Sequence, residues 1–360
     1  MRVAVVLGTR PEIIKMSPII REFERRGLDY FILHTGQHYS YNLDQVFFDQ
    51  FNLPRPKYNL EVGSGTHAEE TGRMLIGIER VLLKEKPDVV LVEGDTNTVL
   101  AGALAAVKLG IAVGHVEAGL RSFDREMPEE INRVLTDHIS DFLFAPTEKA
   151  RENLLREGIS DDKIFVTGNT IVDAVFQNLK LINEQSNILN DLGVVDGEYF
   201  LVTVHRQENV DNKERFRGIL EGLRLVRKEF GFPVIYPIHP RAEKRMKEFD
   251  LSAEDLTLID PVDYLSFLYL ESRARLILTD SGGIQEEACI LRVPCVTLRY
   301  STERPETIEV GANVLAGTNP VEIVEKVKFM LDRKREWINP FGDGRAGLRI
   351  VEILMRWENG

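Results

Sequence analysis

The sequence predicts an α/β protein built as two doubly wound domains, and three observations carry that prediction. Short apolar runs rich in β-branched residues alternate with helical patterns from the first residue onward. The same style resumes in the second half of the chain. The length, 360 residues, suits two domains of ordinary size, each burying its own core.

In the first half, residues 3–7, 30–34, 89–93, 112–116 and 142–145 read as buried strands bounded by Gly or Asp. Amphipathic stretches such as 77–86, followed by Pro87, and 129–139 lie between them as helices, so the strands run parallel through helical crossovers. The least structured stretch, 181–198, is polar and Asn-rich around Gly193 and Gly197, and the linker falls within 168–198. Residues 200–204, 234–236, 256–259, 276–278 and 295–298 are the strands of the second half. The domains are expected at 1–170 and 171–344, with a closing helix in 345–360 able to pack back on the first, though the sequence leaves either domain open to it.

Composition narrows the partners. A hydrophobic content of 43% with 28% charged residues describes a water-soluble globular chain. The net charge of −12, from 45 basic and 57 acidic residues, argues against nucleic acid or an anionic membrane as a general partner. It leaves room for a small anion held by local Arg, Lys and helix N-termini. Cys289 and Cys295 lie in an apolar stretch and read as buried structural thiols, which suits a reducing cytoplasm. The apolar run at 1–7 is too short for a signal peptide, and 99–114 is too short, and broken by Lys108, to span a bilayer. A cytoplasmic protein is expected.

Polar clusters fall at the strand ends, where doubly wound sheets bind ligands. The strand at 276–278 runs into Thr279-Asp280-Ser281-Gly282-Gly283, then Ile284-Gln285-Glu286-Glu287-Ala288. Ser281 is placed to cap the helix, the two glycines let a ligand approach the backbone, and the exposed N–H groups and dipole favour a diphosphate. An ordinary capped helix, with Gly for tight packing, fits this segment equally well. Glu287, roughly 5–6 Å further along the axis, suits the two hydroxyls of a ribose. Arg304, within Thr302-Glu303-Arg304-Pro305-Glu306, can neutralise a phosphate. No G-x-G-x-x-G follows the first strand and no G-x-x-x-x-G-K-[ST] occurs, so neither a nicotinamide nor a kinase loop is present. The first strand ends instead in Gly8-Thr9-Arg10-Pro11-Glu12, with Pro11 suited to a first helical position, Lys15 one turn later, and a kink expected at Ser17-Pro18.

A carboxylate cluster comes from Val92-Glu93-Gly94-Asp95-Thr96, Val116-Glu117-Ala118-Gly119-Leu120-Arg121 and Met127-Pro128-Glu129-Glu130-Ile131-Asn132-Arg133. Neighbouring strands lie about 4.8 Å apart, so Asp95 and Glu117 can face one cleft. Two chemistries fit: an acid and base with divergent pKa values, or a hard-cation site for Mg²⁺. His205 and His239 each end a strand, His115 and His138 read as packing or supporting residues, and no His/Cys spacing matches a zinc motif.

Taken together and in order, Gly8-Thr9-Arg10-Pro11-Glu12, Glu93-Gly94-Asp95-Thr96, His115-Val116-Glu117-Ala118-Gly119-Leu120-Arg121, Pro128-Glu129-Glu130-Ile131-Asn132-Arg133, Val204-His205-Arg206, Asp280-Ser281-Gly282-Gly283-Ile284-Gln285-Glu286-Glu287 and Thr302-Glu303-Arg304-Pro305-Glu306 span nearly the whole chain. They resemble the non-hydrolysing UDP-N-acetylglucosamine 2-epimerases. The resemblance implies two Rossmann-like domains facing a central cleft, the glycosyltransferase-B-like arrangement, a homodimer, and no metal or nicotinamide. It implies catalytic roles for Asp95, Glu117, Glu130 and His205. It also implies UDP-binding roles for Arg10, Lys15, Ser281, Gly282, Gly283, Glu287 and Arg304. Many members carry a regulatory site for a second UDP-N-acetylglucosamine, and Gln37, Gln45 and Arg73 fall near it.

The activity so implied interconverts UDP-N-acetylglucosamine and UDP-N-acetylmannosamine. Loss of UDP with the C2 proton gives a 2-acetamidoglucal, and re-addition on the other face gives the epimer, with no redox cofactor. Asp95 and either Glu117 or Glu130 are expected to move the protons, with His205 beside the departing diphosphate. A glycosyltransferase of the same fold would need one base and an acceptor site, and a non-catalytic nucleotide-sugar sensor would need none of the carboxylates. Close relatives act on diacetamido-uronic acid sugars, so the preferred sugar stays open.

Overall fold

In the computed structural model, which describes residues 1–36, 41–182 and 188–358, the chain divides into two units. One is Met1–Gln177 together with Phe341–Gly360, the other Asn178–Pro340.

The first unit holds a seven-stranded sheet: β1 (Arg2–Leu7), β2 (Asp29–His34), β3 (Tyr58–Asn59), β4 (Val89–Glu93), β5 (Ala112–Val116), β6 (Phe142–Ala145) and β7 (Ile164–Val166). Their order is β3-β2-β1-β4-β5-β6-β7 and every pairing is parallel. Residues 3–7 of β1 and 89–92 of β4 are fully buried, which is why these segments read as unbroken apolar runs. The order reverses at β1 and β4, and the carboxyl ends at such a switch point are where an open sheet presents a crevice.

The second unit repeats the plan with β8 (Phe200–Thr203), β9 (Val234–Pro237), β10 (Thr257–Ile259), β11 (Leu276–Thr279), β12 (Cys295–Thr297) and β13 (Asn313–Leu315), ordered β10-β9-β8-β11-β12-β13. All pairs are parallel and the reversal lies at β8 and β11. Every strand expected from the apolar runs is present, with ends that match or shift by one residue. β3, β7 and β13 were not expected. Each is an outermost strand of two or three residues, too short to stand out as a strand in the sequence.

The first unit ends later than 170 because helix Thr170–Leu179 is tied into it. Asp173 accepts the N–H groups of Ala346 (3.0 Å) and Gly347 (2.9 Å), which open the closing helix Ala346–Glu358. That helix packs on helix Arg10–Arg26, where a Cβ on Gly347 would sit 3.1 Å from the Pro18 backbone. Helix Arg10–Arg26 continues through Pro18. Proline leaves the Ile14 carbonyl without its helical N–H, and the Ser17 hydroxyl donates to it instead (2.8 Å).

Each unit carries one tryptophan. Trp337 of the second is buried and donates its indole N–H to the Cys289 carbonyl (2.9 Å). Trp357 of the first is 47% exposed and meets Phe142 edge-on at 5.4 Å. Cys289 and Cys295 are unbridged and buried, and burial pushes both thiols up, Cys289 to about 12. Among the described residues no helix is long and apolar enough to cross a membrane.

Candidate active site

The tips of β1, β4 and β5 carry the acidic groups of the first unit. Thr9, two residues beyond β1, is the N-cap of helix Arg10–Arg26, with Pro11 in its first turn. Glu12 folds back to accept the N–H groups of Gly8 (2.5 Å) and Thr9 (3.2 Å) and the Thr96 hydroxyl (2.5 Å). Burial pushes its carboxyl up to about 7 against these donors. One turn on, Lys15 Nζ lies 2.5 Å from Glu117 Oε2 and 3.3 Å from Glu93 Oε1. Glu93 is held well above the usual carboxylate range by burial, with Lys15 opposing and Glu117, Glu12 and Asp95 adding to the rise. Asn169 Nδ2 also donates to Glu117 (3.2 Å).

Glu117 has φ +70°. A left-handed backbone at a residue with a side chain costs about 1 kcal/mol or more, and it persists where surrounding contacts fix it. Here those contacts are Lys15 and Asn169.

A second cation organises the other carboxylates. Arg133 donates to Asp95 Oδ2 through Nε (3.0 Å) and Nη2 (2.6 Å), and to Glu130 Oε2 through Nη1 (2.7 Å). Glu130 also accepts the N–H groups of Ser122 (3.0 Å) and Phe123 (2.9 Å). Burial raises its carboxyl, but those N–H groups and Arg133 outweigh it and leave it low. Asp95 stays about a third exposed. Beneath them the buried Asp137 holds Arg121 Nη1 (2.7 Å) and His115 Nδ1 (2.6 Å). The other nitrogen of His115 meets the Gly94 carbonyl at 2.8 Å, so His115 braces the loop that carries Asp95. His138 is exposed and bonds the Val134 carbonyl (2.8 Å). Arg10 is exposed, its guanidinium 5.3 Å over the Phe47 ring.

In the second unit the tips of β8 and β11 meet through Asp280. This buried carboxylate accepts the N–H groups of His205 (3.1 Å) and Arg206 (3.0 Å) and the Asn209 amide (3.1 Å). His205 Nδ1 stands 3.4 Å from it, and the ring, 43% exposed, lies 5.9 Å from that of His239. Both histidines line a cavity of about 170 Å³ with Phe267 and Val262.

Helix Gly282–Leu291 begins at Ser281, yet the Ser281 hydroxyl makes no capping bond, contrary to expectation. Its N–H goes to Thr279 Oγ1 (2.9 Å). The two glycines also differ. A Cβ on Gly282 would lie 2.4 Å from Glu303 Oε1, whereas at Gly283 the nearest atom is Ser281 Oγ at 4.0 Å. A side chain at Gly282 would have to displace the Glu303 carboxylate, whereas Gly283 leaves open backbone. Burial raises Glu303, but Arg206 and Arg299, each 2.7 Å away, hold it down at about 2. Arg304 Nε pairs with Glu286 (2.8 Å), and Glu287, buried rather than facing solvent, accepts the Tyr264 hydroxyl (2.8 Å).

Among the described residues no three His, Cys, Asp or Glu side chains are grouped to hold a metal ion. The cations facing the carboxylates are Lys15 and Arg133. Of the expected regulatory residues, Gln37 and the Gln45 side chain lie outside the described residues, and Arg73 Nη1 reaches the Val62 carbonyl at 3.4 Å.

A sequence model of the UDP-N-acetylglucosamine 2-epimerases matches residues 21–355. The chain belongs to that family. The UDP-N-acetylglucosamine 2-epimerase of Methanocaldococcus jannaschii is 62% identical over 98% of this chain and 99% of that protein. A solved structure of the Methanocaldococcus jannaschii UDP-GlcNAc 2-epimerase in complex with UDP-GlcNAc and UDP matches with a TM-score of 0.90 and 62% identity, over 99% of this chain and 100% of the other. The UDP-2,3-diacetamido-2,3-dideoxy-D-glucuronate 2-epimerase of Pseudomonas aeruginosa is 42% identical over 99% of this chain and 100% of that protein. The epimerase is thus an isomerase with the two-domain glycosyltransferase-B-like fold.

Sequence reasoning about this epimerase singled out Asp95, Glu117 and Glu130 but gave no task to Glu93, Glu12, Arg133 or Asp280. The i, i+3 spacing of Glu130 and Arg133 on one helix was a usable signal. Nothing local marks Glu12 or Glu93 as buried, or Glu93 as lying beside Lys15.

Proposed function

We propose that this epimerase interconverts UDP-N-acetylglucosamine and UDP-N-acetylmannosamine by eliminating UDP and adding it back through 2-acetamidoglucal. The observation that carries the reading is the division of four carboxylates between two cations at the tips of β4 and β5. Glu93 and Glu117 share Lys15, while Asp95 and Glu130 share Arg133. Carboxyls in such different settings can hold opposite protonation states at one pH, as an acid and a base must.

In the forward step a base takes the C2 proton while the bond from C1 to the UDP oxygen breaks. The C2–H electrons become the C1=C2 double bond, and UDP leaves with the pair from its own bond. An acid then protonates C2 on the opposite face and a UDP oxygen adds to C1. No electron is gained or lost overall. Asp95, Glu117 and Glu130 are proposed for the proton transfers, and His205, Arg10, Lys15 and Arg304 for the diphosphate. The N–H groups after Ser281 at Gly282 and Gly283 would receive the developing charge, and Glu287 the ribose. The relatives named for UDP-GlcNAc support the sugar. The Pseudomonas relative supports a second reading, the same chemistry on a diacetamido-uronic acid.

The test is incubation with each UDP-sugar in heavy water, without an acceptor. The expected product is the C2 epimer carrying deuterium at C2. An epimer with no solvent deuterium defeats the elimination route. Free N-acetylmannosamine would mark a hydrolysing enzyme, and no product at all a glycosyltransferase or a sensor. A cytoplasmic homodimer completes the proposal. Support comes from the unbridged buried cysteines and from Ile76 and Leu83, exposed seven residues apart on helix His67–Glu85 and so on one face. A monomer in light scattering would count against it.

A further inference from the structure

Behind Glu287 lies an acid that the proposed reaction does not use. Glu271, on helix Tyr264–Arg273, is fully buried, and neither of its carboxyl oxygens meets a donor among the described residues. Its side-chain partner is the carboxyl of Glu287, on the adjoining helix Gly282–Leu291. Two carboxylates in contact inside a protein repel, and the contact holds only with a proton between them.

The neighbours indicate which group owns the proton. The Asn178 side chain bonds the Tyr264 phenol, and the phenol donates to Glu287 Oε1. Glu287 is thus the acceptor of the cluster and Glu271 the acid. Tyr264 and Glu271 are seven residues apart on one helix, two turns along a single face, so that helix presents two donors to one carboxylate. The other titratable groups near Glu271 are Tyr199 and Cys295, both neutral when protonated. Burial and the charge of Glu287 both push the Glu271 carboxyl up.

We infer that Glu271 is a positioning residue: it donates one hydrogen bond to Glu287 and, with Tyr264, fixes that carboxylate in the orientation that meets the ribose hydroxyls of UDP. This rests on the proposed placing of the ribose at Glu287.

The test measures equilibrium binding of UDP and 2′-deoxy-UDP to the full-length protein. The native protein is expected to prefer UDP by about tenfold or more, the worth of a hydrogen bond to a charged group. Glu271→Met fills the space without a donor and should bring the preference to near unity. Glu271→Gln, whose amide can donate, should restore it. A preference retained in Glu271→Met, or lost in Glu271→Gln, overturns the inference. Glu287→Ala separates the two layers. If it keeps the preference, the ribose placement itself is wrong; if it loses it while Glu271→Met does not, only the role of Glu271 falls. Should Glu271→Met not fold, difference infrared spectroscopy decides. The native-minus-Glu271→Gln difference spectrum must show the loss of one protonated-carboxyl band over and above those that Glu12 and Glu93 give in both proteins, and the absence of that band from the difference overturns the inference.

Discussion

Lys15 and Arg133 each bridge two carboxylates, and that pairing sets what single substitutions should do. Asp95→Asn and Glu117→Gln keep the shape of each group and remove its charge. Each is expected to lower kcat by about a hundredfold or more, as loss of a proton-transfer group does, while UDP binding changes little. Turnover and nucleotide titration on the same preparations check this, and a matching loss of UDP affinity would place the residue with the diphosphate instead. Glu12 makes a pH prediction. Its carboxyl is raised from 4.5 to about 7 in the folded state, chiefly by burial. Between those values the folded protein keeps a proton that the unfolded chain has lost. Rising pH therefore lowers stability across that window, on the order of 3 kcal/mol in all. Below it both states are protonated and nothing more is gained. Denaturant unfolding of Glu12→Gln should show a flatter slope over the window, though not a flat one, since Asp173 is raised to about 6 in the same sense. The sequence showed which acids sit at strand ends. It did not show which are dry, because the partners that enclose them come from distant segments: Thr96 reaches Glu12, and Lys15 reaches Glu93.

At the level of elements, the helix after β11 separates packing from ligand contact at adjacent positions. Gly282→Ala would press a methyl group on Glu303, which Arg206 and Arg299 hold in place. The expected cost is about 1–3 kcal/mol of stability, together with weaker UDP binding. Gly283→Ala enters open space and should leave stability equal or slightly higher, since alanine favours a helix by about 1 kcal/mol, yet still weaken UDP binding if diphosphate approaches there. Thermal unfolding with and without UDP distinguishes the two, and equal behaviour of both variants would remove the distinction. Local pattern showed the strand and the helix start here. The Glu303 contact was hidden because it comes from the loop after the next strand. The edge strands β3, β7 and β13 escaped notice for a simpler reason: two or three residues are too few to show a strand pattern, even in the apolar Ile-Phe-Val of β7.

For the whole molecule, the alternation of apolar runs and helices was enough to read two parallel sheets, and their switch points followed only from the strand orders. The first unit is discontinuous in sequence, closed by the return of the chain at Phe341. Asp173 and the helix it receives explain that return, a pairing across nearly half the chain that no local signal announces. The two tryptophans give this division an optical use. Trp337 is buried in one unit and Trp357 half-exposed in the other, so indole emission from the first should be bluer. Trp337→Phe and Trp357→Phe each leave a single fluorophore, and each reports the melting of one unit by colour alone. UDP would make most of its proposed contacts, from His205 and Ser281 to Glu287 and Arg304, in the second unit and would favour the folded form of that unit the more strongly by mass action. Adding it should therefore delay the red shift of Trp337 by more than that of Trp357, turning an accident of composition into a two-channel thermometer.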